Sequence, residues 1–271
     1  MAKSLSERLA VKAGTRVDLS KIDPADTFGW HKDHKSKKSL EKAGVRLDGL
    51  QGILYAGKKK AILAIFQALD AGGKDGTIRH VMSGINPQGC KVTSFKAPTP
   101  EDLAHDFLWR VHKAVPERGE IGIFNRSHYE DVLIVRVHNL VPKNIWSRRF
   151  DQINRFEALL TENDVKILKF FLHISKNEQK KRFLDRLDDP AKRWKISEAD
   201  FHERKYWDEY TVAYEDVLSR CSTPAAPWYI IPADKKWFRN LAVSHVTVEA
   251  LEELRLEFPA PSVDLKKLKL K

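Results

Sequence analysis

The feature that most constrains the fold is an apolar run that ends in a glycine-rich turn. Residues 61–69 read AILAIFQAL, and the segment DAGGKDG follows at residues 70–76. An apolar run bounded by glycines predicts a buried strand, and TIRHVM at residues 77–82 is typical of a helix. A strand, a glycine turn and a helix place backbone N–H groups and the positive end of the helix dipole at one point. The stretch therefore predicts a phosphate cradle.

The predicted cradle departs from the standard P-loop pattern GxxxxGK[ST] at two positions. Ala68 stands where the first glycine is expected, and Asp75 replaces the hydroxyl residue that normally binds magnesium. We expect Lys74 to neutralise phosphate oxygens and Asp70 to hold the metal ion instead. The other phosphate-binding residues predicted here are Gly72, Gly73, Asp75, Gly76 and Arg79. The alternative interpretation is a tight turn with a surface Asp–Lys pair.

Strands alternate with helices along the rest of the chain. Further strands are predicted at residues 91–95, 119–124, 165–175 and 228–231, and helices at 39–56, 99–111, 142–162, 176–188, 197–218 and 235–258. This alternation predicts an α/β fold, a three-layer α/β/α arrangement with a parallel sheet. Ligands of such sheets bind beyond the carboxyl ends of the strands. The cradle lies at one of those ends.

Length and composition indicate one main domain. The 271 residues, 42% of them hydrophobic, suffice for one sizeable core. We predict a polar, irregular N-terminal arm at 1–38, a single domain at 39–259 and a basic tail at 260–271. The two cysteines form no CxxC motif, which argues against a disulfide scaffold or a zinc site. No stretch resembles a signal peptide or a membrane span, so a cytoplasmic location is expected.

The charge balance predicts a polyanionic partner. The formal net charge is +11, from 48 Lys and Arg against 37 Asp and Glu. Nucleic acid, an anionic membrane surface and a phosphate-rich substrate would all suit this excess. Charge alone does not choose among the three.

A second polar stretch, NRSHYED at residues 125–131, follows the predicted strand at 119–124. Arg126 is placed to fork two phosphate oxygens, and Glu130 and Asp131 add carboxylates that can position a metal ion or a nucleophile. Alternatively, Arg126 caps nearby carbonyls and the acids only favour a helix N-terminus.

A third stretch is strongly basic and is interrupted by Pro190. Its cations are Arg182, Arg186, Lys192, Arg193 and Lys195, and Trp194 lies among them. A mobile segment of this kind can close over an anionic substrate and exclude water. It can equally stack on single-stranded nucleic acid, or be a solvated helix end.

Taken together and in order, these motifs resemble the successive signatures of the polyphosphate kinase 2 family. They are DAGGKDG at 70–76, FNRSxY at 124–129, and DPxKxWKxSxxD at 189–200, and the similarity runs from about Leu50 to Pro259. The resemblance implies a P-loop-kinase-like fold with a helical lid at about 176–200. It also implies reversible phosphoryl transfer between inorganic polyphosphate and a nucleotide, with magnesium, or alternatively manganese, as cofactor.

The resemblance also implies roles for individual residues. Asp70 is similar to the family's metal-binding aspartate and Lys74 to its phosphate-binding lysine. Arg126 and Arg186 resemble arginines that contact the transferring phosphates, one from the core and one from the lid. In the lid, Lys192, Arg193 and Lys195 are expected to bind phosphate.

Asn125 and Glu130 are expected to bind the nucleotide. Asn125 stands where many relatives that phosphorylate nucleoside diphosphates carry aspartate, and an amide oxygen is a weaker metal ligand than a carboxylate. With Glu130 and Asp131 following, the pattern is more similar to the branch that phosphorylates monophosphates, or both monophosphates and diphosphates.

The expected partners are therefore polyphosphate and AMP, ADP, GMP or GDP. No membrane or nucleic-acid partner is expected. The protein is expected to form a homo-oligomer. Two other functions stay open: an ATP-dependent nucleoside monophosphate kinase, and a basic nucleic-acid-binding protein without catalysis. The sequence lacks a recognisable RNA module. An assay of turnover separates these two alternatives from a polyphosphate-dependent kinase.

Overall fold

The computed structural model describes residues 3–265 and 268. Lys266, Lys267, Lys269 and Lys271, the lysines of the predicted basic tail, lie outside the described residues. In the described part of the chain, no helix combines the length and the apolar character needed to cross a membrane.

Five parallel strands form a single sheet in the order β2-β3-β1-β4-β5. Their bounds are β1 Ala61–Gln67, β2 Cys90–Ser94, β3 Ile121–Asn125, β4 Val165–His173 and β5 Trp228–Pro232. All seven residues of β1 are buried, because this strand is central and helices cover both faces of the sheet. The predicted parallel sheet is confirmed.

Eleven α-helices are described, and six of them have eight residues or fewer. Their bounds are α1 Leu5–Leu9, α2 His34–Gly57, α3 Lys74–Val81, α4 Pro100–Leu103, α5 Trp109–His112, α6 Ile134–Val137, α7 Lys143–Glu162, α8 Lys176–Asp188, α9 Glu198–Glu203, α10 Trp207–Arg220 and α11 Lys236–Glu253.

Alternate residues of β1 supply the two hydrophobic layers of the fold. Leu63 and Ile65 pack on the side that holds α7 and α10. Ile62 and Phe66 pack on the opposite side, against α2 and α11. Because successive side chains of a strand point to opposite faces, a fully apolar strand is required between two helical layers. The three-layer α/β/α arrangement is thus confirmed.

The N-terminal segment corrects one prediction. Much of residues 12–33 lacks regular structure, but Leu5–Leu9 forms helix α1, and Leu5 and Leu9 are buried in the core layer beside α11. The backbone N–H of Val11 donates to the carbonyl of Trp228 at 2.8 Å, and Ala10 forms an antiparallel bridge with Tyr229. This segment therefore covers the outer edge of β5, which would otherwise expose unpaired backbone groups.

Several predicted helix bounds are also corrected. The predicted helix at 99–111 is two short helices, α4 and α5, because the side chain of Asp106 accepts from the backbone N–H of Leu108 at 2.9 Å and starts a new turn. A single helix over 99–111 would place Leu103 on one apolar face with Phe107 and Val111, but Leu103 is 70% exposed. The predicted helix at 197–218 is divided into α9 and α10 by a 3-10 turn at Arg204–Tyr206.

The bounds of two long helices, α2 and α11, also differ from those predicted from the sequence. Helix α2 begins at His34 rather than at Ser39, because the side chain of Asp33 accepts from the Ser36 backbone N–H at 2.8 Å. Helix α11 ends at Glu253, before the predicted end at Phe258. At the start of α8, Ser175 accepts from the backbone of Glu178 at 3.0 Å, but the Ser175 N–H donates to Asp234. The sequence SKNE at 175–178 is typical of a capping box, but the structure forms only one of its two hydrogen bonds.

Candidate active site

The predicted cradle connects the end of β1 to the first residue of α3. Its backbone is left-handed at Ala71 (φ 58°) and at Gly73 (φ 97°). Gly72 is required by close packing, because a Cβ at this position would lie 2.4 Å from the Cβ of Ala68. The tight turn brings Asp70–Gly76 to the wall of one cavity of about 480 Å³. The first-turn N–H groups of α3 lie in that wall, as anion binding requires.

Lys74 and Asp70 belong to one charged cluster at the mouth of the cradle. Lys74 Nζ donates to the carbonyl of Ala68 at 3.0 Å. Burial and the nearby Arg126 guanidinium lower the pKa of Lys74, while Asp70 and Glu130 oppose the shift. A phosphate placed here would add the negative charge that favours the ammonium form.

The second polar stretch meets the cradle because β1 and β3 are neighbours in the sheet. Phe66 pairs with Asn125, so both loops leave the sheet at the same level. Arg126 Nη2 donates to Asp70 Oδ1 at 3.1 Å, and Asn125 Nδ2 donates to Asp75 Oδ1 at 2.7 Å. Arg126 itself has a left-handed backbone (φ 61°), which is unfavourable for a residue with a Cβ.

Asp75, which was predicted to bind phosphate, is oriented by an amide. Its carboxylate carries the same charge as phosphate, so its first-turn backbone N–H, rather than its side chain, is the group suited to an anion. Glu130 is half-buried beside Arg126 and Lys74, and burial raises its pKa although both cations oppose the shift. The side-chain amide of Gln67, at the end of β1, donates to Glu130 Oε1 at 3.1 Å and accepts from the backbone N–H of Ser127 at 3.2 Å, so it holds this loop in place.

A buried polar network, the Glu157–Lys169 network, holds the residues between Arg126 and Glu130. Lys169 Nζ donates to Glu157 Oε2 at 2.5 Å and to the hydroxyl of Tyr129 at 3.1 Å. Tyr129 in turn donates to Glu157 Oε1 at 2.7 Å, and His128 Nε2 lies 3.3 Å from the same oxygen. All four side chains are at most 1% exposed.

Sequence reasoning missed this network, although one signal was present. Lys169 is a charged residue in the middle of the apolar strand β4, flanked by Leu168 and Phe170. A lysine at such a position must find partners inside the protein, because burying an unpaired ammonium is very costly. Its partner Glu157 lies on the inner side of α7.

The predicted lid contributes to the same cavity. Arg186 and Lys195 line it together with Asp200, which follows the Pro190 break. Arg186 Nη1 lies 3.3 Å from Asp200 Oδ2. Burial, and then the charge of Asp70, raises the pKa of Asp200. Asp200 was noted only as part of a motif, and its place in the cavity wall makes it a further site residue.

A second, basic cavity of about 520 Å³ adjoins the cradle on the side of α11. Gly73, Gly76, Arg186 and Lys195 line both cavities. The second one also contains the predicted Arg79 and Lys192, and Arg182 of the basic stretch, together with two cations that the sequence did not single out, Lys236 and Arg239. Arg239 is 4% exposed, and burial beside Arg182 lowers its pKa to about 10.

One predicted phosphate-binding residue is not brought to these cavities. Arg193 Nε donates to the carbonyl of Leu187 at 3.0 Å, and Arg193 lines neither cavity. It stabilises the 3-10 turn after the Pro190 break. Its role in phosphate binding stays a prediction, as do the roles of the other site residues.

A third cavity of about 430 Å³ is largely apolar. Its non-polar walls come from residues around α4 to α6, namely Phe95, Leu103, Phe107, Ile134, Val135, Leu140 and Val141. Arg126, Glu130 and Asp131 lie together in its wall, and Arg149 Nη1 donates to Asp131 Oδ1 at 2.9 Å. The cavity is also lined by Lys96, Asp102, His105 and Arg110. Arg126 lines both this cavity and the cradle cavity. A largely apolar cavity with polar groups in its wall suits a flat organic ring linked to an anion.

Asp70 can take part in binding a divalent cation, although it would not bind one alone. Within the described residues, no group of three or more His, Cys, Asp or Glu side chains is placed to hold a metal ion. Magnesium usually binds through one or two carboxylates, several waters and the oxygens of substrate phosphates. A single carboxylate beside a phosphate cradle fits that mode of binding.

The comparisons with known proteins agree with the geometry. The family model described as Polyphosphate kinase 2 (PPK2) matches residues 30–259. A relative from Meiothermus ruber, named AMP/ADP-polyphosphate phosphotransferase, is 49% identical over 265 residues, 97% of this chain and 98% of its own length. A relative from Rhodopseudomonas palustris, named ADP-polyphosphate phosphotransferase, is 49% identical over 273 residues, 95% of this chain and 93% of its own.

A solved structure is similar over nearly the whole chain. The crystal structure of polyphosphate kinase 2 from Arthrobacter aurescens TC1 matches with a TM-score of 0.93 and 44% sequence identity. The match covers 98% of this chain and 95% of that one. The chain therefore belongs to the polyphosphate kinase 2 family of phosphotransferases.

Proposed function

We propose that this protein transfers a phosphoryl group reversibly between inorganic polyphosphate and AMP or ADP, with magnesium, or alternatively manganese, as cofactor. The observation that carries the proposal is the position of Arg126. This residue lies in the wall shared by the cradle cavity and the apolar third cavity, and it bonds to Asp70. A polyanion on one side and a nucleotide on the other would therefore bring their phosphates together at Arg126. The names of the relatives from M. ruber and R. palustris support the same substrates.

In this proposal, the residues of the site position phosphates and neutralise their charge. Lys74 and the first-turn amides of α3 bind the polyphosphate end, and Arg126 and Arg186 contact oxygens of the group in transfer. An oxygen of the nucleotide's terminal phosphate forms the new P–O bond, and the bond to the rest of the polyphosphate breaks. Phosphoryl transfer needs positioning and charge stabilisation rather than a strong nucleophile. Magnesium held by Asp70 would supply further charge neutralisation.

The basic second cavity is the proposed path of the polyphosphate chain. It continues from Gly73 and Gly76 toward Lys236 and Arg239. Polyphosphate carries about one negative charge per residue, so binding along several cations should weaken as salt concentration rises, as for nucleic acids. The net charge of +11 then serves the substrate rather than nucleic acid.

The third cavity is the proposed nucleoside site. Its apolar walls suit a purine, and Arg126 and Glu130 lie where the phosphates would be. Asn125 at the end of β3, followed by Glu130 and Asp131, supports use of monophosphates as well as diphosphates. GMP and GDP are proposed as further acceptors, because the apolar walls of the cavity suit guanine as well as adenine.

The test supplies polyphosphate and magnesium with AMP, ADP, GMP or GDP in separate reactions and measures the product nucleotides. We expect phosphorylation of both AMP and ADP. Reactions with ATP and AMP without polyphosphate test the second candidate, an ATP-dependent monophosphate kinase. Turnover there, with none on polyphosphate, would contradict the proposal. Light scattering of the purified protein tests the proposed homo-oligomer.

A further inference from the structure

Helix α8, the first helix of the predicted lid, is attached to the cradle through two of its side chains. Its side chain Gln179 is 2% exposed and donates through Nε2 to the backbone carbonyl of Asp70 at 2.9 Å. One turn later, Arg182 Nη1 donates to the carbonyls of Ala71 at 2.9 Å and Gly72 at 3.0 Å. Three consecutive carbonyls of the cradle are thus held by two side chains of one helix.

These bonds determine which way the cradle's amides face. In a trans peptide, a carbonyl and the N–H of the following residue point in opposite directions. Because Gln179 holds the Asp70 carbonyl and Arg182 holds that of Gly72, the amides of Ala71 and Gly73 point away from them. The side chain of Asp70 extends from the same short segment, so its direction depends on the same anchor.

Gln179 also contacts the segment through which the chain returns from the lid. Its Oε1 accepts from Arg204 Nη1 at 2.6 Å, and Arg204 donates to the carbonyl of Lys176 at 2.9 Å as well. Arg204 follows α9 directly and begins the 3-10 turn that leads to α10. One amide therefore connects the base of the lid to the backbone of Asp70.

We propose that Gln179 is a positioning residue for phosphoryl transfer, which links the position of the lid's return segment to the direction of Asp70. This inference rests on the proposed function. It concerns the transfer step rather than nucleotide binding, because Gln179 does not line the third cavity. When Arg204 moves with the lid, the Gln179 amide moves and the Asp70 carbonyl loses or regains its donor.

The test compares Gln179→Leu, which leaves an apolar side chain in this position and removes both hydrogen bonds, with the wild type. Without its donor, the Asp70 carbonyl is no longer held in one direction, so we expect kcat to fall about tenfold, which corresponds to about 1.4 kcal/mol of activation free energy. The KM for the nucleotide should stay within about twofold. Gln51→Leu is the matched control, because Gln51 is also a fully buried glutamine but lies in α2, away from the site.

Two further variants test whether Gln179 and Arg204 act on kcat through the same link. Arg204→Gln breaks the lid side of the link only, and we expect kcat to fall here too. Because both changes break the same link, the double variant Gln179→Leu/Arg204→Gln should be no slower than the slower single variant. Should Gln179→Leu fail to fold, Gln179→Glu retains the acceptor for Arg204 and lacks the donor to Asp70, and the same loss of kcat is expected.

Several results would overturn the inference. They are a kcat for Gln179→Leu equal to that of Gln51→Leu, a rise in nucleotide KM with kcat unchanged, or a double variant in which the two losses multiply. A wild-type protein without turnover on polyphosphate would contradict the proposed function instead. The two failures are therefore distinguishable.

Discussion

Removing one charge of the Glu157–Lys169 pair should destabilise the protein about as much as removing both charges. Lys169 is 0% exposed and Glu157 is 1% exposed, so neither group can be solvated when its partner is lost. In Glu157→Gln the ammonium keeps only the Tyr129 hydroxyl and the Cys221 carbonyl as strong partners. In Lys169→Met the carboxylate keeps Tyr129 and His128.

The expected loss in the free energy of unfolding follows from the burial of Glu157 and Lys169. Breaking a buried ion pair by removing one partner costs about 3–5 kcal/mol, because the other charge stays uncompensated. If the two losses were independent, the double variant would lose about 6–10 kcal/mol, which is comparable to the whole stability of a typical domain. The double variant has no buried charge in this network, so we expect it to lose about as much as one single variant. The coupling free energy is then about 3–5 kcal/mol.

Urea denaturation at neutral pH, followed by circular dichroism, measures the four free energies of unfolding in this cycle. Equal m-values across the variants would show that the same surface is exposed on unfolding. Additive losses, or single losses below about 1 kcal/mol, would refute the reasoning. Because His128 and Tyr129 lie between Arg126 and Glu130, we also expect each single variant to lower kcat at a temperature where it is folded.

Other predictions concern the cradle, pH and thiol chemistry. Gly73→Ala should abolish most turnover in a coupled ATP assay, because a Cβ at this left-handed residue would lie 2.1 Å from Arg239 Nη1; turnover like the wild type's would contradict this. Lys169 and His128 lower the pKa of Glu157 below its ordinary 4.5 in spite of burial, so its stabilising effect is present above about pH 4.5 and lost as pH falls through the lowered value. The difference in unfolding free energy between wild type and Glu157→Gln should therefore shrink in acid titrations, and a constant difference would contradict the assignment. Burial raises the pKa of the Cys221 thiol to about 12, so a thiol reagent should modify it only on unfolding; rapid labelling of the folded protein would show otherwise.

The sheet and the cradle could be predicted because their sequence signals are local. Seven consecutive buried residues of β1 can only be a strand between two layers, and the glycines after it determine the turn. Asp70, Lys74, Asn125 and Arg126 meet because parallel strands end at the same edge of a sheet. Their proximity could therefore be predicted without knowledge of side-chain packing.

The parts that the sequence did not predict depend on contacts between distant segments. Leu5 and Leu9 have helical spacing, but their burial depends on β5 and α11, more than 200 residues away. The partners of Lys169 come from α7 and from the loop after β3. Arg239 looks like an ordinary charge of a terminal helix until the fold places it under Gly73.

The central claim is that the cradle transfers phosphoryl groups from polyphosphate to a nucleotide, and Lys74 tests it most directly. The measurement is ATP formed from ADP and polyphosphate with magnesium, for the wild type and for Lys74→Met. Lys74 lies at the phosphate end of the cradle, so the account predicts ATP from the wild type and a loss of about 100-fold or more in the variant. A wild type that forms no ATP, or a variant as active as the wild type, would contradict it.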